Sequence, residues 1–246
     1  MSDQLSQIYG IHAVDSFLQV NPKGAKTLYV QAGSSRTLQE LAEKAQQARV
    51  TIVEQSRQQL DELCDGNHQG AILLATPSQA WGEKQFFAAL DKWETPFLLV
   101  LDSVTDPHNL GACLRSADAA GVHAVIVPKD KAAGLTDTVR KVASGAAETT
   151  PLVVVTNLAR TLDQLKDKGV WLAGAAGEAK ANVYQQSLRG PLALVMGAEG
   201  SGLRRLTRDK CDFLIKIPMA GQVESLNVSV ATGVILFEAL RQRSSA

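Results

Sequence analysis

The chain has 246 residues, of which 45% are hydrophobic and 20% charged, and its 25 basic and 25 acidic side chains cancel. This composition is ordinary for a globular protein, and no apolar run approaches the roughly eighteen residues of a membrane helix, so we expect no membrane association. Zero net charge argues mildly against a nucleic-acid ligand. The charge is uneven, however: residues 1–76 hold six basic and eight acidic side chains, whereas residues 96–246 hold seventeen and fourteen.

The three cysteines, Cys64, Cys113 and Cys211, are isolated from one another and form no C-x-x-C pair. An odd number of scattered cysteines argues against a disulfide framework. The four histidines and three cysteines also lack the spacing of a metal site. We therefore expect three buried thiols, no metal, and a reduced, cytoplasmic location.

The first 76 residues alternate between short apolar stretches and one amphipathic helix. Residues 27–30, 50–53 and 71–75 predict strands, and residues 36–49 predict a helix with its leucines on one face. This β-α-β pattern predicts a small α/β domain over residues 1–76. The polar turn His68-Gln69-Gly70 precedes its last strand.

Residues 77–95 are expected to be a linker, since proline occurs near both ends, at Pro77 and Pro96. Within it Phe86, Leu90 and Trp93 predict one short amphipathic helix that packs on the second domain.

From Pro96 onwards, apolar runs alternate with helical segments, which is typical of a parallel sheet covered by helices on both faces. The predicted strands are residues 97–101, 124–127, 152–155, 170–173, 192–196 and 213–217. The last helix, about residues 226–243, is apolar on more than one side, and this pattern predicts burial on more than one side. Because the helix is terminal, a second subunit could cover one of those sides.

Three predicted strands are followed by loops rich in glycine or polar residues: residues 102–115, 196–203 and 217–229. Ligands of open α/β sheets bind at the carboxyl ends of strands. Each loop has a simpler local explanation, with Asp106 and Ser225 as helix caps and Arg115 paired with Asp118. Their joint occurrence in one sheet favours a shared pocket.

Several familiar sites are absent from the sequence. No strand is followed by G-x-G-x-x-G, no G-x-x-x-x-G-K-[ST] is present, and no serine lies in a G-x-S-x-G elbow. A glycine-lined pocket with Asn, Arg, Glu and Ser side chains remains, and this set suits binding and group transfer better than hydrolysis.

The three loops resemble the three motifs of the SpoU/TrmH branch of the SPOUT methyltransferases, in the same order. Asn109-Leu110-Gly111-Ala112 with Arg115 resembles the first motif, and Met196-Gly197-Ala198-Glu199-Gly200 the second. Ile217-Pro218-Met219 with Ser225-Leu226-Asn227 resembles the third. The likeness extends to the N-terminal region through Tyr9-Gly10 and His68-Gln69-Gly70.

The resemblance implies an α/β protein with a small L30e-like RNA-binding domain over residues 1–76. It also implies a SPOUT domain over residues 96–246 whose parallel sheet ends in a deep trefoil knot. The expected cofactor is S-adenosylmethionine (SAM), the expected assembly a homodimer, and the expected reaction 2′-O-methylation of a guanosine ribose. The RNA partner would be 23S rRNA or a large-subunit assembly intermediate.

The resemblance also assigns roles to residues. Arg115 would act at the acceptor ribose as a base or, because a guanidinium rarely loses its proton, as a bidentate phosphate ligand. Asn109 would bind the acceptor or fix Arg115, Glu199 would orient these two, and Ser225 and Asn227 would shape the pocket floor. The expected cofactor-binding residues are Met196, Gly197, Ile217, Met219 and Leu226. Basic candidates for RNA contact are Lys129, Lys131, Arg140, Lys141 and the cluster from Arg204 to Lys210.

Three alternatives remain open at this point. The first is a tRNA ribose methyltransferase of the same superfamily, which the separate N-terminal domain and the His68-Gln69-Gly70 turn disfavour. The second is a non-catalytic RNA-binding module in ribosome assembly, against which the intact Asn109, Arg115 and Glu199 argue. The third, a nicotinamide oxidoreductase, lacks the glycine fingerprint.

Overall fold

A computed structural model describes residues 5–33, 35–76 and 78–244. The chain divides into two compact units. The first contains the described residues up to Gln79 together with Ser144–Thr149, and the second contains Ala80–Ala143 and the described residues from Thr150 onwards.

The described residues form twelve strands and ten α-helices. The strands are β1 Ser6–Tyr9, β2 Ala25–Gln31, β3 Thr51–Gln55, β4 Ala71–Ala75, β5 Trp81–Gly82, β6 Phe97–Leu101, β7 Ala124–Pro128, β8 Leu152–Val155, β9 Trp171–Ala175, β10 Ala181–Asn182, β11 Leu192–Met196 and β12 Phe213–Lys216. The helices are α1 Ile11–Val20, α2 Arg36–Gln47, α3 Arg57–Leu63, α4 Glu83–Leu90, α5 Pro107–Ala119, α6 Asp137–Ala143, α7 Ala146–Thr149, α8 Leu158–Asp167, α9 Arg205–Lys210 and α10 Val228–Ser244.

The first unit is a four-stranded sheet in the order β1-β4-β2-β3. Strands β2 and β3 are parallel and connected through α2, so the predicted β-α-β pattern is present, while β4 is antiparallel to both β1 and β2. Phe17 of α1 and Leu41 of α2 are buried in its core. The sequence analysis did not predict β1, α1 or α3.

The second unit contains an eight-stranded sheet in the order β10-β12-β9-β11-β6-β7-β8-β5, and every pair is parallel. All five residues of β6, β7 and β11 are buried. Helices therefore cover both faces at the centre of the sheet, which explains why these strands are continuous apolar runs. The predicted strands after Pro96 are all present. Three differ by one or two residues from the predicted bounds: β7 ends at Pro128, β9 runs from Trp171 to Ala175, and β12 ends at Lys216.

The predicted linker contributes to the second sheet. Trp81–Gly82 pairs in parallel with β8, and Phe86 and Leu90 of α4 are buried in the same core as β6 and β7. The short helix expected in this segment is thus found, although its edge strand was not foreseen. Pro77, taken as the start of the linker, lies outside the described residues.

The last helix begins at Val228 rather than at Leu226. The Oδ1 atom of Asn227 accepts a hydrogen bond from the backbone N–H of Ser229 at 2.9 Å, as an N-cap side chain does. Ser225 is therefore not the cap of this helix. One side of α10 packs on α5 and β11.

Cys64 and Cys113 are buried, but Cys211 is only half-buried, so the expectation of three buried thiols was wrong for Cys211. Burial raises the pKa of the Cys113 thiol to about 11 and that of Cys211 to about 12, so both stay protonated near neutral pH. Within the described residues, no helix has the length and apolar character needed to cross a membrane.

Candidate active site

The three loops predicted from the sequence lie at one edge of the second sheet. They follow β6, β11 and β12, which end at Leu101, Met196 and Lys216. Since all strands of this sheet are parallel, their carboxyl ends share an edge, and β6 and β11 are neighbours in it. Binding sites of open α/β sheets occur at this edge.

The first loop leads into α5, and Asn109, near the start of this helix, lies at the site. The carboxylate of Asp106 accepts hydrogen bonds from the backbone N–H groups of His108 and Asn109, at 3.1 and 3.3 Å, and so caps the helix. Because Asp106 caps the helix, the side chain of Asn109 is not needed for capping and can contact residues that are distant in the sequence. Asn109 is buried, with 9% of its surface exposed.

Three side chains from the three loops form a closed triangle of hydrogen bonds. Asn109 Nδ2 donates to Glu199 Oε2 at 3.3 Å. Asn227 Nδ2 donates to Asn109 Oδ1 at 3.0 Å and to Glu199 Oε1 at 3.2 Å. Ser229 holds Asn227 in turn, because its N–H and hydroxyl both donate to Asn227 Oδ1. The side-chain amide nitrogens of Asn109 and Asn227 therefore both donate to Glu199.

The glycine loop, residues 197–203 after β11, is folded tightly on itself. Ala198 and Gly202 exchange two backbone hydrogen bonds, at 3.0 and 2.9 Å. A β-carbon on Gly197 would lie 2.0 Å from the carbonyl carbon of Gly202, which no side chain permits. Gly200 has φ +78°, in the left-handed region that favours glycine.

A cavity of about 330 Å³ lies between the glycine loop and the loop after β12. All five predicted cofactor-binding residues line it, as do Glu199 and Ser225. Those five are Met196, Gly197, Ile217, Met219 and Leu226. Asn109 and Asn227 do not line the cavity, but both donate hydrogen bonds to Glu199, which does line it.

Arg115 lies apart from this group. It is exposed on α5 and does not line the cavity. Six residues separate it from Asn109, which puts the two about 120° apart around the helix. The structure therefore brings together four of the five predicted catalytic residues: Asn109, Glu199 and Asn227 directly, and Ser225 through the shared cavity.

The sequence analysis missed one wall of the cavity. Residues 175–178, from the last residue of β9 onwards, form this wall. Glu178 forms an ion pair with Arg208, which also lines the cavity. An available signal was Gly174-Ala175-Ala176-Gly177 directly after an apolar run, which has the same character as the loops that were singled out.

The polar turn at His68 and the basic cluster from Arg204 to Lys210 both form contacts within the chain. The ring of His68 is buried; its Nε2 lies 2.8 Å from Asp61 of α3 and its Nδ1 accepts from Gly70 N–H at 2.9 Å, so both nitrogens are engaged. In the cluster from Arg204 to Lys210, basic side chains pair with acidic ones. The pairs are Arg204 with Asp102, Arg205 with Asp209, Arg208 with Glu178 and Lys210 with Asp163. By contrast, Lys129, Lys131 and Lys141 are exposed.

A parallel α/β domain with a glycine-rich cavity at its carboxyl edge, joined to a separate small domain, matches one class of known protein. The chain belongs to the SpoU rRNA Methylase family, whose model matches residues 96–237. A second model, described as RNA 2′-O ribose methyltransferase substrate binding, matches residues 7–81.

Several relatives that match nearly the whole length of the chain share one name. The chain is 58% identical to the 23S rRNA (guanosine-2′-O-)-methyltransferase RlmB of Pseudomonas putida, over 98% of both chains. It is 60% identical to the protein of that name from Vibrio cholerae, over 99% of this chain and 98% of the other. Among solved structures, the SpoU methyltransferase AviRb from Streptomyces viridochromogenes, in complex with AdoMet (SAM), has a TM-score of 0.78 at 25% identity, covering 98% of this chain and 92% of its own.

Proposed function

We propose that this chain is a SAM-dependent methyltransferase that methylates the 2′-hydroxyl of a guanosine ribose in 23S rRNA. One observation carries the proposal: relatives with this named activity are 57–60% identical over nearly the full length of both chains. The match includes the N-terminal region, where a substrate-binding model also fits. Full-length similarity favours the rRNA enzyme over a tRNA methyltransferase or a non-catalytic module.

The residues around the cavity fit SAM. The cavity has the size of a small-ligand site, and every residue of the glycine loop lines it, together with residues that follow β9 and β12. Glu178, Glu199 and Glu224 add carboxylates, which suit a ligand carrying an ammonium and a sulfonium. Met196, Gly197, Ile217, Met219 and Leu226 would hold it, largely through main-chain groups.

When bound, SAM would supply a methyl group that its positively charged sulfur activates for transfer to the ribose 2′-hydroxyl. The protein must therefore align the hydroxyl and favour its deprotonation. Asn109 would contact the acceptor ribose, with its amide fixed by Glu199 and Asn227. Ser225 would shape the floor of the pocket.

Arg115 would act from the RNA side. Its exposure on α5 suits a bidentate contact to a phosphate next to the acceptor ribose, which would orient the ribose and stabilise the developing alkoxide. The exposed Lys129, Lys131 and Lys141 would extend this basic surface.

The proposal extends to assembly and location. A homodimer is supported by α10, where Val230 and Phe237 are about half exposed on a helix whose other side is buried. A trefoil knot is supported by the path of the chain, since β12 lies beyond β9 in the sheet while the following helix packs on α5 and β11. The isolated, protonated thiols of Cys113 and Cys211 agree with a reducing cytoplasm.

The test is methyl transfer in vitro. The purified chain is incubated with SAM labelled in its methyl group and with naked 23S rRNA, large-subunit particles or tRNA, and digests are analysed by mass spectrometry. We expect labelled 2′-O-methylguanosine in 23S rRNA or the particle, and none in tRNA. Label only in tRNA, only on bases, or in no RNA although SAM binds would overturn the proposal.

A further inference from the structure

Arg204, the first residue of the basic cluster, is paired with the buried Asp102. We propose that Arg204 and Asp102 are positioning residues that fix both ends of the glycine loop, residues 197–203, and so shape the cofactor cavity. The inference rests on the proposed function, because it names residues that prepare the same cavity for SAM.

Asp102 is the first residue after β6, and its side chain is fully buried. Its carboxylate accepts two hydrogen bonds from Arg204, from the backbone N–H to Oδ2 at 3.1 Å and from Nε to Oδ1 at 2.6 Å, and a terminal guanidinium nitrogen forms an ion pair with Oδ1 at 2.5 Å. The hydroxyl of Ser103 lies 3.3 Å from the same oxygen. A buried carboxylate is stable only when it is satisfied in this way.

Both ends of the glycine loop meet at Asp102. At the beginning of the loop, the carbonyl of Met196 accepts a hydrogen bond from the backbone N–H of Asp102 at 2.7 Å. At its end, Arg204 is bound to the side chain of Asp102 through backbone and side chain together. Asp102, the first residue after β6, therefore binds both ends of a loop that lines the cavity along its whole length.

Asp102 and Arg204 affect the geometry of the glycine loop rather than the methyl transfer itself. Neither Asp102 nor Arg204 lines the cavity. Loss of the guanidinium would leave a buried carboxylate without its charged partner, and such groups draw in water or force a rearrangement. Because Arg204 directly follows the loop, such a rearrangement would move residues 197–203 and distort the cavity wall.

A matched pair exists elsewhere in the same unit. Glu83 accepts a hydrogen bond from the backbone N–H of Thr156 at 2.7 Å and pairs with Arg160 at 2.8 Å, so it has the same types of partner as Asp102, although its side chain is 23% exposed and that of Asp102 is fully buried. Neither Glu83 nor Arg160 lines the cavity. Arg160→Ala therefore controls for the loss of an arginine–carboxylate pair as such.

The experiment compares Arg204→Ala, Arg204→Lys and Arg160→Ala in the full chain. Titration calorimetry gives the Kd for SAM, kinetics give kcat and KM, and hydrogen–deuterium exchange reports on residues 197–203. For Arg204→Ala we expect the Kd and KM for SAM to rise about tenfold or more, since charge-assisted hydrogen bonds are lost. At saturating SAM, kcat should fall much less. The amides of Ala198 and Gly202 should exchange faster while those of β11 keep their protection.

Arg204→Lys should recover part of the SAM affinity, because it keeps the charge and the backbone N–H bond, and Arg160→Ala should bind SAM as the wild type does. If Arg204→Ala does not fold, Arg204→Lys carries the comparison. Unchanged SAM affinity and loop exchange in the Arg204 variants would overturn the proposal, as would a rise only in the KM for RNA, which would make Arg204 a phosphate ligand. Failure of the proposed function is distinguishable, because the wild type itself would then not bind SAM or not transfer methyl to RNA.

Discussion

Asn227 Nδ2 lies 3.0 Å from Asn109 Oδ1, although 118 residues separate the two asparagines in the sequence. The same Nδ2 donates to Glu199 Oε1, so one amide group joins the loops after β6, β11 and β12. The orientation of Asn109, and with it any contact to an acceptor ribose, depends on donors that only the folded sheet brings together.

Asn227→Asp tests this arrangement. A carboxylate at this position cannot donate to Asn109 or Glu199 and places a second negative charge beside Glu199, so we expect the single-turnover rate at about pH 8 to fall at least tenfold. Two carboxylates in one site share a proton, and the rate should partly recover towards about pH 6. Asn157→Asp is the matched control, because Asn157 only accepts a hydrogen bond, from Arg160 N–H, and aspartate accepts equally well. A pH profile parallel to that of the wild type would argue against the triangle.

Gly197→Ala tests the packing of the glycine loop. Because the added β-carbon would overlap the backbone of Gly202 and Leu203, the loop must rearrange. We expect a loss of about 1–3 kcal/mol in the free energy of unfolding and at least a tenfold rise in the Kd for SAM. Gly221→Ala is the control, because its β-carbon would meet no atom within 4 Å. Calorimetry on both folded variants measures the Kd for SAM. If Gly197→Ala binds SAM with wild-type affinity, the cofactor site lies elsewhere.

Arg115→Ala separates catalysis from cofactor binding. If the guanidinium stabilises the developing oxyanion, turnover should fall roughly a hundredfold while SAM affinity changes little. Arg115→Lys should rescue poorly, because lysine keeps the charge but lacks the planar fork. Single-turnover rates at saturating RNA and SAM measure this, with Arg160→Ala as control. A near-normal rate for Arg115→Ala would leave Arg115 with a structural role only.

Much of the second unit can be predicted from sequence, because a strand buried on both faces needs a continuous apolar run, as in β6 and β11. The loops at its carboxyl edge are also recognisable, since Gly197 and Asn109 have residue types that such turns and sites require. Partners across the fold are not encoded locally: nothing near Arg204 indicates that it binds Asp102, and nothing near His68 indicates that its ring is buried. Strand β1, with one buried residue in four, has no clear apolar pattern.

Phe237→Glu tests the dimer. Phe237 is 49% exposed on α10, and a charge there would have to be desolvated at an interface, so we expect the dimer to dissociate. Sedimentation velocity at micromolar concentration gives the oligomeric state. Leu206→Glu, at a position that is 68% exposed on α9, should sediment like the wild type. A wild-type chain that is monomeric under these conditions contradicts the prediction.

Glu238 links stability to pH. Hydrogen bonds from Arg241 and Gln242 lower its pKa from the ordinary value of 4.5 to about 2. A lowered folded-state pKa means that the stabilisation is complete above about pH 4.5 and is lost as the pH falls from there towards 2. Glu238→Gln should therefore lose stability at pH 6 but show a flatter decline below about pH 4.5 than the wild type. Urea unfolding across this range measures the difference, and a decline for Glu238→Gln as steep as that of the wild type would contradict the prediction.

Residues 144–149 belong to the first unit, although they come from the middle of the sequence that the methylase model matches. Gly145 is packed there against α1, where an added β-carbon would lie 3.2 Å from the Cα of Ala13. The boundary between the two family models is therefore not a boundary at which modules can be exchanged. A chimaera that takes its N-terminal region from another relative must also import the matching version of residues 144–149, because a foreign α1 would otherwise meet a segment whose shape was selected against a different helix.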